Sequence, residues 1–503
     1  MILSGRKKFL VSYFAIGASR ALDLIRPVVL IPIIARGMGK DSYGIWGQIS
    51  VTALILSPSM TLRLMTALTR FLPGHEDNHT ISRCYLYGVW IVALTSAFVA
   101  GVAAIVPNFI SQLLFGNAGL TEYVWPAVGF FSSNALFGML VAYHTAVNKQ
   151  IMYAIHRTIF SLGGLIMVWF VAMQHDVKAC INAVVIWQFI CSLIILGKIV
   201  ILHGWAWPSV KGFPGLWSYA MWTMLSHWVM FLAMFGGRYV VVGLLGLGPM
   251  AVYLIAYQVA SVISLTSAPN DFVLTPMVSA YWNRNQPAKA RPIVRLAYLV
   301  IAIMGFPAMA VLIQLGQPLI LLLSKKDCLP PKMLLVMLTA ATLANGFQMI
   351  STIALRMAQK LNLILYFGVG ASALGIGSAF LLIPTLDLFG AGLGYFLTAL
   401  AATFVIYRMS VPIYGVGLDW VRTGKSALLG VVVYLAMEPI HHLSLRPLQT
   451  VIFGAAVALV VWVAGFFLLR IYRIRELQNI LKRARGETGA STSEISPNTP
   501  MGK

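Results

Sequence analysis

The chain is poor in charge. Only 10% of its 503 residues are Asp, Glu, Lys or Arg, against about 25% in an ordinary soluble domain. Acids are the scarcer kind: 14 Asp and Glu face 36 Lys and Arg, a formal net charge of +22. Together with 59% hydrophobic residues, this excludes a soluble globular enzyme, a disordered protein and a collagen-like fibre. Cysteine is also scarce. Cys84, Cys180, Cys191 and Cys328 contain no closely spaced pair, so neither a disulfide framework nor a zinc site is expected. On a soluble chain a basic surplus would point to nucleic acid. On one this apolar it points to a membrane, and no nucleic-acid partner is expected.

What the chain has in quantity is apolar runs. About fourteen segments are each long enough to cross roughly 30 Å of hydrocarbon as a helix. They lie near 9–34, 43–72, 84–106, 122–147, 154–173, 179–202, 219–245, 250–280, 293–323, 332–357, 363–386, 388–410, 425–443 and 447–469. The expected fold class is therefore an all-α integral membrane protein. Arg6, Lys7 and Lys8 before an apolar stretch, with Gly17, Ala18 and Ser19 beyond it, have the look of a signal peptide. The apolar run resumes at Val28 and no soluble domain follows, so a retained first helix is expected. With the N-terminus inside, twenty-five basic residues fall on the inner side and seven outside, leaving four arginines at membrane depth. The positive-inside rule then places both termini in the cytoplasm.

A repeat is visible at an offset of 207–208. Gly39…Gly44-Ile45-Trp46 aligns with Gly246…Ala251-Val252-Tyr253, and Leu113–Gly116 with Leu321–Ser324. It predicts two pseudo-symmetric six-helix lobes, 1–208 and 215–410, followed by two extra helices in 420–469. In transporters, substrate sites lie between such repeats. The tail, 470–503, begins basic, with Ile474, Leu477 and Leu481 on one helical face. That suits a helix on anionic lipid. Beyond 486 it is rich in Gly, Ser, Thr and Pro and is expected to be disordered.

The informative residues are the ionisable ones inside apolar spans, because each is costly unless it faces protein or water. The first span carries Arg20, Asp23 and Arg26, whose spacing puts them on nearly one face. Arg63 lies in the second span, Arg238 in the seventh, and Asn270 and Asp271 in the eighth, just before Pro276, where a helix break is expected. Four arginines against two carboxylates leave about two uncompensated positive charges. Fixed cations at that depth imply an anionic guest, and arginine's planar fork suits pyrophosphate oxygens. On the competing reading, Arg20–Asp23 and Arg238–Asp271 are internal braces, while Arg26 and Arg63 snorkel to an interface. Trp222, Trp228, Tyr239 and Tyr257 would either stack on sugar rings or form an interfacial belt.

Two motifs mislead. His75-Glu76-Asp77-Asn78-His79 has the H-E-x-x-H form, which needs a helix to aim both imidazoles at one zinc ion. Pro73-Gly74 before it, the poor helix formers Asp77-Asn78 and the lack of a third ligand favour a polar loop. Asp419…Gly424-Lys425-Ser426 approaches a P-loop, but Asp419 replaces the first glycine and would repel phosphate. No cofactor or metal is expected.

The stretch Pro32-Ile-Ile-Ala-Arg-Gly-Met-Gly-Lys-Asp-Ser-Tyr-Gly44-Ile-Trp resembles the first-loop signature of Wzx-type bacterial polysaccharide flippases. These belong to the multidrug/oligosaccharidyl-lipid/polysaccharide (MOP) exporter superfamily, which also holds the MATE transporters. Arg70-Phe71-Leu72-Pro73, Gly237-Arg238…Gly246…Val252-Tyr253-Leu-Ile-Ala-Tyr257 and Leu274-Thr-Pro276-Met-Val-Ser279 fit too. The resemblance covers about 1–470. It implies a fourteen-helix, two-lobed, V-shaped carrier in the bacterial inner membrane, not an enzyme. Its cargo would be an undecaprenyl-pyrophosphate-linked oligosaccharide for exopolysaccharide, O-antigen or capsule, moved by alternating access without ATP. A polysaccharide polymerase and chain-length or export proteins are the implied partners. Related flippases line their cavities with arginines of the first two helices, here Arg20, Arg26 and Arg63. Gly237 and Ala251 depart from the family pattern and leave the role of the seventh helix open, as does coupling to protons or sodium, for which Asp23 and Asp271 are the carriers available. The rivals are a cation-coupled multidrug exporter of the same superfamily, for which a carboxylate-rich cavity is expected, and a membrane enzyme such as a polymerase or metalloprotease.

Overall fold

A computed structural model of the chain describes residues 17–470 except 20, 24, 73–76, 148, 174–175, 268–269, 271–273, 285, 359 and 444. Arg20, Asp271, His75 and the basic tail lie outside the described residues.

Among the described residues all regular structure is helical. Helix α1 occupies 17–38 and contains a π-helical stretch, Ile31–Arg36, with a proline in its first turn. Then follow α2 (Lys40–Met60), α3 (Leu64–Phe71), α4 (Asn78–Ile105), the short α5 (Pro107–Phe115), α6 (Val124–Ala146), α7 (Gln150–Ala172) and α8 (Val177–His203). The second part comprises α9 (Leu216–Leu245), α10 (Leu247–Ser261), α11 (Thr275–Asn283), α12 (Arg291–Leu323), α13 (Lys332–Met357), α14 (Leu361–Tyr414), α15 (Trp420–Met437) and α16 (Pro447–Leu468). Among the described residues ten helices are long and apolar enough to cross a membrane, and an eleventh span arises if α2 and α3, bent by 54°, count as one. The described parts of the expected segments are mostly helical, with these ten or eleven spans set against the fourteen expected. The boundary expected between the eleventh and twelfth falls on Asp387, which breaks the long α14 at φ 48.

Three local devices shape the bundle. Pro58 lies inside α2, which ends at Met60, and Leu62 and Arg63 follow in the left-handed region at φ 45 and φ 57. A proline removes one backbone donor and crowds the preceding turn, so a break here is physically cheap. After α10 the chain tightens into a 3-10 turn, Val262–Thr266, before α11. The break in the eighth span therefore starts upstream of where Pro276 suggested. Pro276 itself sits in the first turn of α11, where its missing N–H does no harm. The repeat positions also occupy matching places: Gly39 (φ 97) and Gly246 (φ 84) are the residues before α2 and α10, while Gly116 and Ser324 follow the ends of α5 and α12.

Helix α6 packs against α2, α4 and α8, and α7 against α8; α14 packs against α9 and α13, and α12 against α13. Helices α15 and α16 pack on each other and on α12. The two groups meet along α2–α10 and α3–α9. At the end carrying the 37–39, 116–120 and 324–331 connections they are tightly sealed. A Cβ on Gly44 would stand 2.7 Å from the Leu247 carbonyl oxygen, and one on Gly116 would overlap the Val242 carbonyl. Arg36 Nη1 donates to the Leu322 carbonyl at 3.3 Å.

Gly116→Val combines a left-handed backbone with this overlap and is expected to cost about 1–3 kcal/mol. Thermal unfolding in detergent should show it. Gly101→Ala, where open space surrounds the added carbon, should stay within about 0.5 kcal/mol.

Candidate functional site

Between the two groups of helices lies a cavity of about 760 Å³. Its walls come from α1, α2, α6 and α7 on one side and α9, α10, α13 and α14 on the other. The lining runs down to Arg356 in the last turn of α13 and Ile364 in the first turn of α14. The cavity therefore extends towards the end opposite the seal, where 358–360 connect these helices.

Among the described residues five charged side chains line it, four cations and one anion: Asp23, Arg26, Arg157, Arg238 and Arg356. Asp23 Oδ2 accepts from Arg157 Nε at 2.6 Å, and both side chains are about three-quarters buried. Tyr153 supports Arg157 through its hydroxyl, 3.3 Å from Nη1. Arg26 follows Asp23 by three residues and lies within its electrostatic reach, while the ion pair is made by Arg157 from another helix. A helix rises 1.5 Å per residue. On that register Arg238, Arg26, Arg157 and Arg356 stand at about 10, 18, 22 and 36 Å from the sealed ends of their helices.

The remaining described lining is uncharged and mostly apolar, with a minority of polar side chains. Ser261, Ser264 and Ser267 fall three apart along the 3-10 turn, each hydroxyl donating to a backbone carbonyl of the preceding turn. Three residues per turn stack these oxygens in one row. Thr342, Asn345, Gln348, Thr352 and Arg356 mark one face of α13. Asn345 Nδ2 donates to the Tyr395 hydroxyl at 2.9 Å.

The expected site residues separate in space. Asp23 and Arg26 line one wall of the cavity and Arg238 the wall opposite. Arg63 does not line it. It sits at the α2–α3 break with Nε buried and without a hydrogen-bond partner among the described residues, within electrostatic reach of Tyr219 and His227. Asn270 is half-buried, its backbone amide bonded to the Ser267 carbonyl at 3.0 Å, and lies off the lining. Arg20 and Asp271 fall outside the described residues. Of the four aromatics singled out from the sequence, Tyr257 alone lines the cavity. Trp222 and Trp228 are exposed on the outer surface, and the Tyr239 hydroxyl pairs with Thr52 at 2.9 Å.

The inner-side charge count takes in Arg157 and Arg356, which the structure places on the cavity wall. Arg157 stands seven residues into α7, two full turns from the loop. Among the described residues Asp23 pairs with Arg157; the expected partner Arg20 lies outside them. The misleading motifs resolve as helix caps. Asp77 caps α4, accepting from the His79 and Thr80 amides. The Thr80 hydroxyl, with these amides, holds the Asp77 carboxyl below the usual carboxylate range. The helix thus begins between His75 and His79 and does not carry both. Asp419 likewise caps α15, accepting from the Arg422 amide at 3.2 Å, a donor that a phosphate loop would offer its nucleotide.

This architecture is the fold of solved membrane proteins of the MOP type. A structure described as lipid II flippase MurJ in an inward closed conformation superimposes with a TM-score of 0.75 at 14% identity, covering 93% of this chain and 99% of that one. An inward-facing multidrug resistance MATE family transporter of the MOP superfamily gives 0.62 at 13% identity, covering 80% and 98%. A MOP superfamily transporter from Pyrococcus furiosus, described as having a binding pocket of reverse polarity, gives 0.58 at 12%, covering 81% and 96%. No protein of curated function matches the sequence. The family model described as polysaccharide biosynthesis protein matches residues 33–326, and the chain belongs to that family.

Asp23→Asn and Arg157→Gln, singly and together, should reveal a coupling of about 1.5–3 kcal/mol, as for a hydrogen bond between charged groups. Unfolding of the four forms in detergent measures it, and additive losses would show the pair to be energetically idle.

Proposed function

We propose that the protein is a flippase that carries an undecaprenyl-pyrophosphate-linked oligosaccharide across the bacterial inner membrane for polysaccharide export. The observation that carries this reading is the charge of the cavity: among the described residues, four arginines against one carboxylate, that carboxylate already engaged by Arg157. Such a chamber attracts anions and repels the cationic drugs that a carboxylate-rich exporter would take. Membership of a polysaccharide biosynthesis family supports a glycan cargo.

In this reading the pyrophosphate rests between Arg26 and Arg157, whose planar forks match its oxygens. Arg356 at the mouth draws the anion in. The polyprenyl chain stays in lipid. The sugar lies deeper in the chamber, towards the seal, where Thr342 and Asn345 of α13 are among the polar groups that replace water around its hydroxyls and spare it the cost of crossing hydrocarbon. The loop-rich basic side is cytoplasmic, both termini included, so the sealed end faces outward and the structure stands in an inward-facing state. Rocking of the six-helix halves 1–208 and 215–410 about their seam would open the other end. Two negative charges moving outward through an inside-negative potential of 100 mV release about 4–5 kcal/mol, enough to bias export without ATP.

The test is transport of a fluorescent undecaprenyl-pyrophosphate glycolipid by the full chain in proteoliposomes. Arg26→Gln and Arg157→Gln should each lower the initial rate at least tenfold, and Arg63→Gln, outside the cavity, less than threefold. An inside-negative potential of about 100 mV should speed outward movement and its reversal should slow it. Rates indifferent to Arg26, Arg157 and the potential would contradict the assignment.

A further inference from the structure

Arg238 is a cation that the pyrophosphate reading leaves without a partner. It is 3% exposed and stands on the wall opposite Arg26, nearer the seal by about 8 Å on helix register. A pyrophosphate held by Arg26 and Arg157, close to the mouth where its polyprenyl chain remains in lipid, does not reach it. The order of the cargo, lipid then pyrophosphate then sugar, puts the glycan at this depth.

The surroundings of Arg238 form a built site. Its guanidinium carbon lies 4.0 Å from the centre of the Tyr257 ring, 4.6 Å from Phe235 and 5.8 Å from Tyr253. Aromatic faces stabilise a cation without neutralising it. Tyr257 stands edge-on to Tyr395, ring centres 6.0 Å apart, and the Tyr395 hydroxyl accepts from Asn345 at 2.9 Å. The plane of the guanidinium is thus fixed by rings. Among the described residues, Nε and Nη2 have no hydrogen-bond partner. These two nitrogens form one edge of the arginine fork, with two parallel N–H groups spaced for the two oxygens of a single carboxylate. A buried cation with two open donors is costly unless its guest supplies the anion, and the residue lines the cavity from which that guest would come.

We propose that the glycan of the cargo carries a carboxylate, as a uronic-acid-type sugar does, and that Arg238 reads it through its Nε–Nη2 edge while Tyr257 and Phe235 flank the sugar ring. This rests on the flippase reading and names the class of sugar that the reading leaves open.

The experiment compares three cargoes on one undecaprenyl pyrophosphate: a disaccharide ending in glucuronic acid, the same ending in glucose, and the methyl ester of the first. The full chain in proteoliposomes should move the acid at least tenfold faster than glucose, and the ester should fall to the glucose rate. Arg238→Gln should collapse the acid-to-glucose ratio to near one, and Arg238→Lys, which keeps charge but loses the fork, should leave it intermediate. Equal rates for acid and glucose in the unmodified protein would overturn the proposal and leave the flippase reading standing. So would Arg238→Gln slowing both cargoes by the same factor, the mark of a purely structural arginine. Movement of none of the three by the unmodified protein would overturn the flippase reading and this proposal with it.

Discussion

A guanidinium cannot rest in hydrocarbon. Placing one at the centre of a membrane costs about 2.5–3.5 kcal/mol even on the mildest scale, so each arginine there must meet protein, water or an anion. Much of this structure can be understood as the answer to that requirement. Asp23 pairs with Arg157 within electrostatic reach of Arg26, aromatic rings take Arg238, and the cavity collects what they leave unpaired. Among the described residues nothing comparable is arranged for a cationic guest, since Asp23, the one carboxylate among them on the lining, is already bonded at 2.6 Å.

The same helices that hold the cations also supply means of movement. The seal depends on glycines rather than on large interlocking side chains: Gly44 against Leu247, and Gly116 against Val242. Contacts of that kind hold two surfaces close without tying them together. The breaks lie at the other points where movement needs compliance: the left-handed residues after Pro58, the 3-10 turn after Ser261 and the π-helical stretch of α1. Breaks beside a cavity also satisfy the rule that irregular backbone at membrane depth must line water or protein. Ser261, Ser264 and Ser267 lie on such a break and face the chamber.

Much of the fold was legible in the sequence because membrane helices announce themselves by length and apolarity. The gap between the runs 363–386 and 388–410 falls on Asp387, where the helix breaks. The repeat showed through Gly39 and Gly246, whose positive φ no ordinary residue adopts easily. The site was legible in part. Asp23, Arg26 and Arg238 stood out as charges inside apolar spans and do line the cavity. Arg157 and Arg356 did not, because they fall within two turns of a helix end, where an error of a few residues turns a cavity cation into a loop cation. Arg63 misled for the opposite reason. Its depth was plain, but the backbone reversal that turns it towards Tyr219 and His227 has no signature in periodicity. The break assigned to Pro276 belongs to residues further upstream, since a proline in the first turn starts a helix as readily as it ends one.

The central claim is that this cavity selects an anionic polyprenyl lipid. Equilibrium binding to the purified chain in nanodiscs tests it most directly, with undecaprenyl pyrophosphate and a lipophilic cationic dye as rival ligands. The account predicts saturable binding of the pyrophosphate lipid, at least tenfold tighter than the dye and weakened by added salt. Tighter binding of the dye, with no saturable binding of the lipid, would contradict it.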